Sequence, residues 1–263
     1  MIVVTGATGQ LGSQIVDRLL ERVPADRVAV SVRDPRKISR TDVEVRRGDY
    51  TDPAGLAEAF AGATQVLLVS ANATGGEALT MHRNAIDAAR AAGARRILYT
   101  SHQGAAPDSL FAPMPDHAAT EQYLRESGVP FTSLRNGFYA STIAFMVGNA
   151  RETGEIVAPA DGPVSWTTHA DLAEAAAIIL AEDGRFEGPT PPLVAPAAYD
   201  LRDIAGMLGV RRVIADDEEW AATLPPHLAA LMLGMYRASR RGEFATTGTD
   251  LERLLGRPVG AVL

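Results

Sequence analysis

The chain contains no cysteine, and only Lys37 among its 25 basic residues is lysine. The first absence excludes a disulfide framework and any zinc site built on thiolates. The second leaves one candidate for any mechanism that needs a positioned lysine. Histidine is also scarce: His82, His102, His117, His169 and His227 are scattered, with no pair at metal-ligand spacing, so no metal site is expected. Basic charge is not in excess. The formal net charge of -7 argues for solubility and against a general nucleic-acid partner. The longest apolar run, residues 172–181, is interrupted by Glu174 and is too short to span a bilayer, so no membrane association is expected. Met1 runs directly into a strand-like segment and then glycines, without the pattern of a secretory leader. A cytoplasmic location is the expectation.

The 263 residues are 46% hydrophobic and 22% charged, the balance of an ordinary globular protein with a sizeable core. Up to about residue 135, short β-branched runs alternate with helical segments, the pattern of a parallel sheet wound with helices. Strands are expected at 2–5, 27–32, 43–46, 65–70, 96–100 and 131–134. One helix opens at Pro53 after Asp52 and stops near Gly62. A longer one runs from about Glu77 to Gly93, and another opens at Asp116 as N-cap and closes at Gly128. Beyond residue 150 the texture shifts to short strands, more proline and irregular helices, including a strand feeding a helix in VSWTTHADLAEAAAIIL. Residues 1–150 are therefore read as a nucleotide-binding domain and 151–263 as a small α+β substrate-side lobe, packed on the first and partly interleaved with it.

The sharpest motif is VVTGATGQLGSQIVDRLL, with Gly6, Gly9 and Gly12 between the first strand and the first helix. Gly6 permits a tight turn, Gly9 lets a pyrophosphate approach the backbone, and Gly12 lets helix and sheet pack closely, while the helix N-terminus offers unpaired amides to phosphates. Thr8, Gln10 and Leu11 complete this cofactor-binding turn, and the fold class is α/β, a Rossmann-type doubly wound parallel sheet. After the second strand, Arg33 stands where an arginine accepts a 2′-phosphate, which favours NADP(H) over NAD(H). Gly48, Asp49 and Tyr50 follow the third strand and bring a carboxylate and a ring to the adenine side, although Asp49 also suits a capping role. Ser70, Ala71 and Asn72 after the fourth strand, and Thr100, Ser101 and His102 at the fifth, should line the cleft at the carboxyl ends of the strands.

These residues resemble the short-chain dehydrogenase/reductase superfamily, in its atypical NmrA-like branch, nearest the type-2 quinone oxidoreductases and triphenylmethane reductases. The resemblance rests on TGATGQLG, VRDP, GDYTDP, YTS, DHAATEQYLRESGVPFTSLRNGFY and TDLERLLGRP, and covers most of the chain. It implies hydride transfer from NADPH to a quinone-like or other conjugated aromatic acceptor. The superfamily's tyrosine with a lysine four residues on is absent, since the corresponding stretch reads His117, Ala118, Ala119, Thr120, Glu121. Such a pair protonates an alkoxide in carbonyl reduction, which a quinone does not require.

The resemblance brings Asn136, Gly137 and Phe138 to the nicotinamide side of the cofactor, with Tyr139 placed against the nicotinamide or the acceptor. His117 is either a proton donor or structural, and His102 is equally ambiguous. His169 is a further candidate for the cleft, with Asp171 a helix-end residue. The apolar loop 103–115, with Leu110, Phe111 and Met114, is either a lid over the acceptor or buried against the small lobe. A homodimer is allowed for. The competing reading is a non-catalytic NADP-sensing regulator of the NmrA type. Sugar-nucleotide chemistry is disfavoured by the missing tyrosine and lysine.

Overall fold

Apolar, β-branched runs such as IVVT, VAVSV and QVLL are buried on both faces, and that burial makes them central parallel strands. In the computed structural model, which describes residues 1–262, the first half runs β1 (Ile2–Thr5), α1 (Gln10–Leu20), β2 (Val28–Val32), β3 (Glu44–Arg47), α2 (Pro53–Ala59), β4 (Gln65–Leu68), α3 (Gly76–Ala91), β5 (Arg96–His102), α4 (Pro113–Ser127) and β6 (Phe131–Asn136). It continues through β7 (Phe138–Tyr139), α5 (Ser141–Val147), α6 (Ala150–Thr153), β8 (Glu155–Pro159), β9 (Trp166–Thr167), α7 (His169–Ala181) and β10 (Gly188–Pro189). The last elements are α8 (Leu201–Leu208), β11 (Arg211–Ala215), α9 (Asp217–Ala221), α10 (Pro226–Arg240) and α11 (Asp250–Leu255).

The six expected strands and β10 form one sheet in the order β10-β6-β5-β4-β1-β2-β3, all parallel. The chain leaves β1 toward β2 and β3, then returns to β4 on the other side of β1. That reversal opens a crevice at the carboxyl ends of β1 and β4. β5 and β6 run two residues further than the sequence suggests, to the pair His102 and Asn136, because their pairing continues to the sheet edge. β4 stops earlier, at Leu68, which leaves Val69 and Ser70 outside the ladder.

One face of the sheet is covered by α1, α7 and α11, whose Leu11, Ile15, Leu172, Ile179 and Leu251 share a core with Val4 and Val30. The other carries α2, α3 and α4 over Val3, Val66 and Tyr99. A third core, around Phe138, Trp166, Met235, Tyr236 and Phe244, belongs to the C-terminal lobe, where β8 pairs with β11. Elements after residue 150 thus serve both bodies, since α7 lies along α1 and β10 extends the main sheet.

Two local readings change. α4 begins at Pro113, so Asp116 lies in its first turn instead of capping it; proline needs no amide partner there. The Asp116 carboxylate instead accepts the Gly75 amide at 2.6 Å. The stretch 103–115 is a strap anchored to the lobe: Phe111 and Met114 join its core, Ser109 Oγ bonds Glu243, and of its large apolar side chains only Leu110 is exposed, at 45%. Among the described residues no helix is long and apolar enough to cross a membrane.

Candidate active site

At the glycine turn, Gly6 has φ +65°, and a Cβ there would meet Val69 at 3.0 Å. A Cβ at Gly12 would lie 2.3 Å from the Gly6 carbonyl oxygen, so this glycine packs against the turn itself, not against the sheet. Gly9 differs: a Cβ would touch only the Gly6 oxygen, at 3.3 Å, and Thr8, Gly9 and Gln10 are open to solvent. Gly9 caps α1 with no side-chain hydrogen bond, and the first turn carries no acidic residue. Its amides are therefore free to receive an anion. Leu11 gives its side chain to the core and has only its backbone to offer. These features fit a dinucleotide diphosphate.

On the β2 side, Asp34 accepts from the Arg36 backbone amide and from its guanidinium Nε and Nη2, at 2.9 to 3.1 Å. Arg33 is exposed at the strand tip and makes no ion pair among the described residues. Arg47, one register position away beside Val32, is likewise exposed. Asp49 accepts the Thr51 amide and hydroxyl at 2.9 Å, the tight turn of a capping residue. Those hydrogen bonds, with Arg33 and Arg47 nearby, hold its carboxyl below the usual range. The Tyr50 hydroxyl is buried at the β1–β4 crevice, 2.6 Å from Thr5 Oγ1 and 2.9 Å from the Val69 carbonyl. It braces the crevice floor, and burial raises its pKa.

Toward β5 and β6 the predicted residues divide. Thr100 Oγ1 accepts the Ser70 amide at 2.8 Å. Ser101 turns from the cleft and donates to the buried Glu121 at 2.7 Å, whose other oxygen takes Arg135 at 2.7 Å. His102 Nδ1 accepts the Gly104 amide at 3.0 Å, so its proton sits on Nε2, which is buried without a partner. Its ring stands among Phe138, Phe244 and His117, and burial pushes its pKa down to about 3. Asn136, its register partner, is 2% exposed and holds an unpartnered Oδ1. Gly137 cannot carry a side chain, since a Cβ would fall 2.2 Å from Thr167 Oγ1. Phe138 is a wall of the lobe's aromatic core. Tyr139 stacks on His169, with ring centroids 4.2 Å apart and planes at 30°.

Beside the strand ends lies a cavity of about 310 Å³, lined by Ser70 to Thr74, Ala78, His82, Phe111, Pro113, Asp116, His117 and Leu231. His117 Nδ1 is 2.8 Å from the Tyr99 hydroxyl. Burial first, then the neighbouring His102 and His82, keep its pKa well below the ordinary value, so it enters the site as a neutral imidazole. The reading of the sequence passed over His82, Tyr99, Thr120, Glu121 and Arg135. His82 had a signal: it interrupts the buried alanine stripe of Ala78, Ala85 and Ala89 on α3.

The NAD(P)H-binding family model matches residues 6–183. Quinone oxidoreductase 2 of Escherichia coli is 34% identical over 98% of this chain and 94% of its own. The structure of an NADPH-dependent quinone oxidoreductase of Escherichia coli complexed with NADPH superposes with a TM-score of 0.92 at 32% identity, covering 100% of this chain and 97% of that one. The Citrobacter sp. triphenylmethane reductase complexed with NADP(H) gives 0.89 at 35% identity, over 99% and 97%. With the family model spanning more than half of its length, this chain belongs to the NAD(P)H-binding family.

Proposed function

We propose that the protein is an NADPH-dependent reductase of quinones or similarly conjugated electron acceptors. Bound NADPH supplies the hydride. The chain's own work is to hold the dinucleotide, seat the acceptor beside it and keep water out. The free amides at the start of α1 receive the diphosphate, and Arg33, with Arg47 beside it, receives the 2′-phosphate. The cavity below residues 70–74 sets apolar Ala71, Ala73, Phe111 and Leu231 beside polar Asn72 and His117, a mixed lining with room for a planar ring that carries polar substituents. His117 meets that ring uncharged, with Tyr99 fixing its orientation. A quinone takes hydride into its π system and leaves a stabilised phenolate, and a cationic dye leaves a neutral product, so neither needs the strong proton donor that the Tyr-x-x-x-Lys pair would supply. Here those positions hold His117 and Glu121, the latter committed to Ser101 and Arg135.

The observation that carries this reading is the likeness, along nearly the whole chain, to two reductases crystallised with NADPH or NADP(H). NADPH oxidation followed against quinones, cationic dyes and simple carbonyls, beside a no-acceptor control, tests it. Turnover with the conjugated acceptors and none with carbonyls is expected. Tight NADPH binding without acceptor-dependent oxidation would replace the reading with cofactor sensing.

A further inference from the structure

Beyond Leu68, where the β4 ladder ends, three consecutive amides find side-chain acceptors instead of backbone ones. Val69 N–H donates to Thr5 Oγ1 of β1 at 2.9 Å, Ser70 N–H to Thr100 Oγ1 of β5 at 2.8 Å, and Ala71 N–H to His82 Nε2 of α3 at 2.9 Å. The path of the segment entering the cavity is thus specified by side chains from three elements. His82 is 2% exposed and lies between Tyr99 and Tyr50, with centroids at 5.2 and 6.5 Å. Its other nitrogen decides its tautomer. Thr120 donates its hydroxyl proton to the Asp116 carbonyl one turn back, at 2.8 Å, and so accepts from Nδ1–H at 2.8 Å. That leaves a lone pair on Nε2 for Ala71. Burial pushes the His82 pKa down to about 4, so the acceptor persists at neutral pH.

We propose that His82 is a positioning residue, which fixes residues 70–72 as the wall of the cofactor cleft by presenting a tautomer-locked lone pair to the Ala71 amide. The link to cofactor binding rests on the proposed function; the pin itself does not. Two variants separate the lone pair from the ring. In His82→Gln the Oε1 reaches the Nε2 position and keeps an acceptor for Ala71, whereas in His82→Asn the shorter amide reaches only the Nδ1 position. Amide exchange at Ala71 is read by NMR on the cofactor-free protein, and the NADPH dissociation constant by fluorescence titration without acceptor. Both variants give up packing between the two tyrosines and should lose similar thermal stability. Loss of the acceptor from the half-buried Ala71 amide should speed its exchange and weaken NADPH binding by roughly tenfold or more in His82→Asn, with His82→Gln within about threefold of wild type. Wild-type behaviour of His82→Asn, or equal defects in both variants, would overturn the proposal. Failure of the wild type to bind NADPH would instead defeat the functional reading, with the exchange measurement still deciding the pin.

Discussion

Single side chains decide cofactor choice and the chemistry at the cavity. Asp34, the carboxylate that follows β2, is occupied by Arg36, while Arg33 beside it makes no ion pair among the described residues. Arg33→Ala should therefore raise the NADPH dissociation constant roughly 10- to 100-fold, the effect of a lost charge-assisted hydrogen bond, and leave NADH nearly unchanged. Direct titration of both cofactors checks this, and equal wild-type affinities would count against it. At the cavity, His117 is neutral and a quinone needs little proton donation. His117→Ala should lower the quinone rate by less than the roughly 100-fold at the low end for a lost general acid. Tyr139→Ala should cost more, because the ring stacks on His169 at the start of α7 and its loss shifts the strand ends. A severe His117 defect beside an unaffected Tyr139 variant would reverse these roles. The glycine turn and the exposed position of Arg33 at the strand tip were legible in the sequence because both follow from a local motif. Tyr50 and Ser101 were not, since their partners Thr5, Val69 and Glu121 are distant in the chain or on another element.

Among the elements, helix starts show how far local signals reach. α7 begins as its sequence suggests: Thr168 accepts the Asp171 amide at 3.1 Å and donates to the Asp171 carboxylate at 2.6 Å. Asp171 also receives Arg257 at 2.7 Å and the Gly260 amide at 2.8 Å, so the cap ties the C-terminal segment to α7. Thr168→Ala should cost about 1 kcal/mol or somewhat more in urea unfolding, with Thr168→Ser much milder. Equal stability of the alanine variant would show the cap to be idle. At α4 the sequence offered Asp116 as cap, yet the helix takes in Pro113 because proline lacks an amide to satisfy. The freed carboxylate bridges to Gly75 ahead of α3. A good capping residue and a favourable proline compete within three positions, and propensity alone does not rank them.

For the molecule as a whole, burial of neutral histidines makes stability depend on pH. His82 and His102 titrate near 4 and 3 in the folded chain, and His117 well below its ordinary value. In the unfolded chain each titrates at about 6.5, so between there and about pH 4 the unfolded state binds more protons and stability rises with pH. The contribution is complete above about pH 6.5 and is lost as pH falls, by up to about 1.4 kcal/mol per pH unit for each histidine. Asp116 and Asp161, raised by burial, act in the opposite sense from about pH 3.8 upward. Urea unfolding at about pH 7.5, 6.5 and 5.5 should show the decline, and His82→Gln should flatten it. A profile flat across that range would mean the imidazoles gain protons without unfolding.

The sequence by itself determined the doubly wound sheet, the order of its first six strands and helices, and the phosphate turn. Each of these is written in a period or a spacing within a few tens of residues, where strand burial, helix caps and glycine geometry act locally. The tertiary structure alone decided which polar side chains face the cleft and which hold it together. Thr5, Thr100 and His82 meet residues 69–71 only after β1, β5 and α3 have been brought together at the carboxyl end of β4. Phe111 reaches its place in the same way, packing on Phe138 and Phe244 while also lining the cavity. Burial in a low-dielectric interior fixes a side chain's partner and its protonation together, and burial exists only once the distant elements are packed.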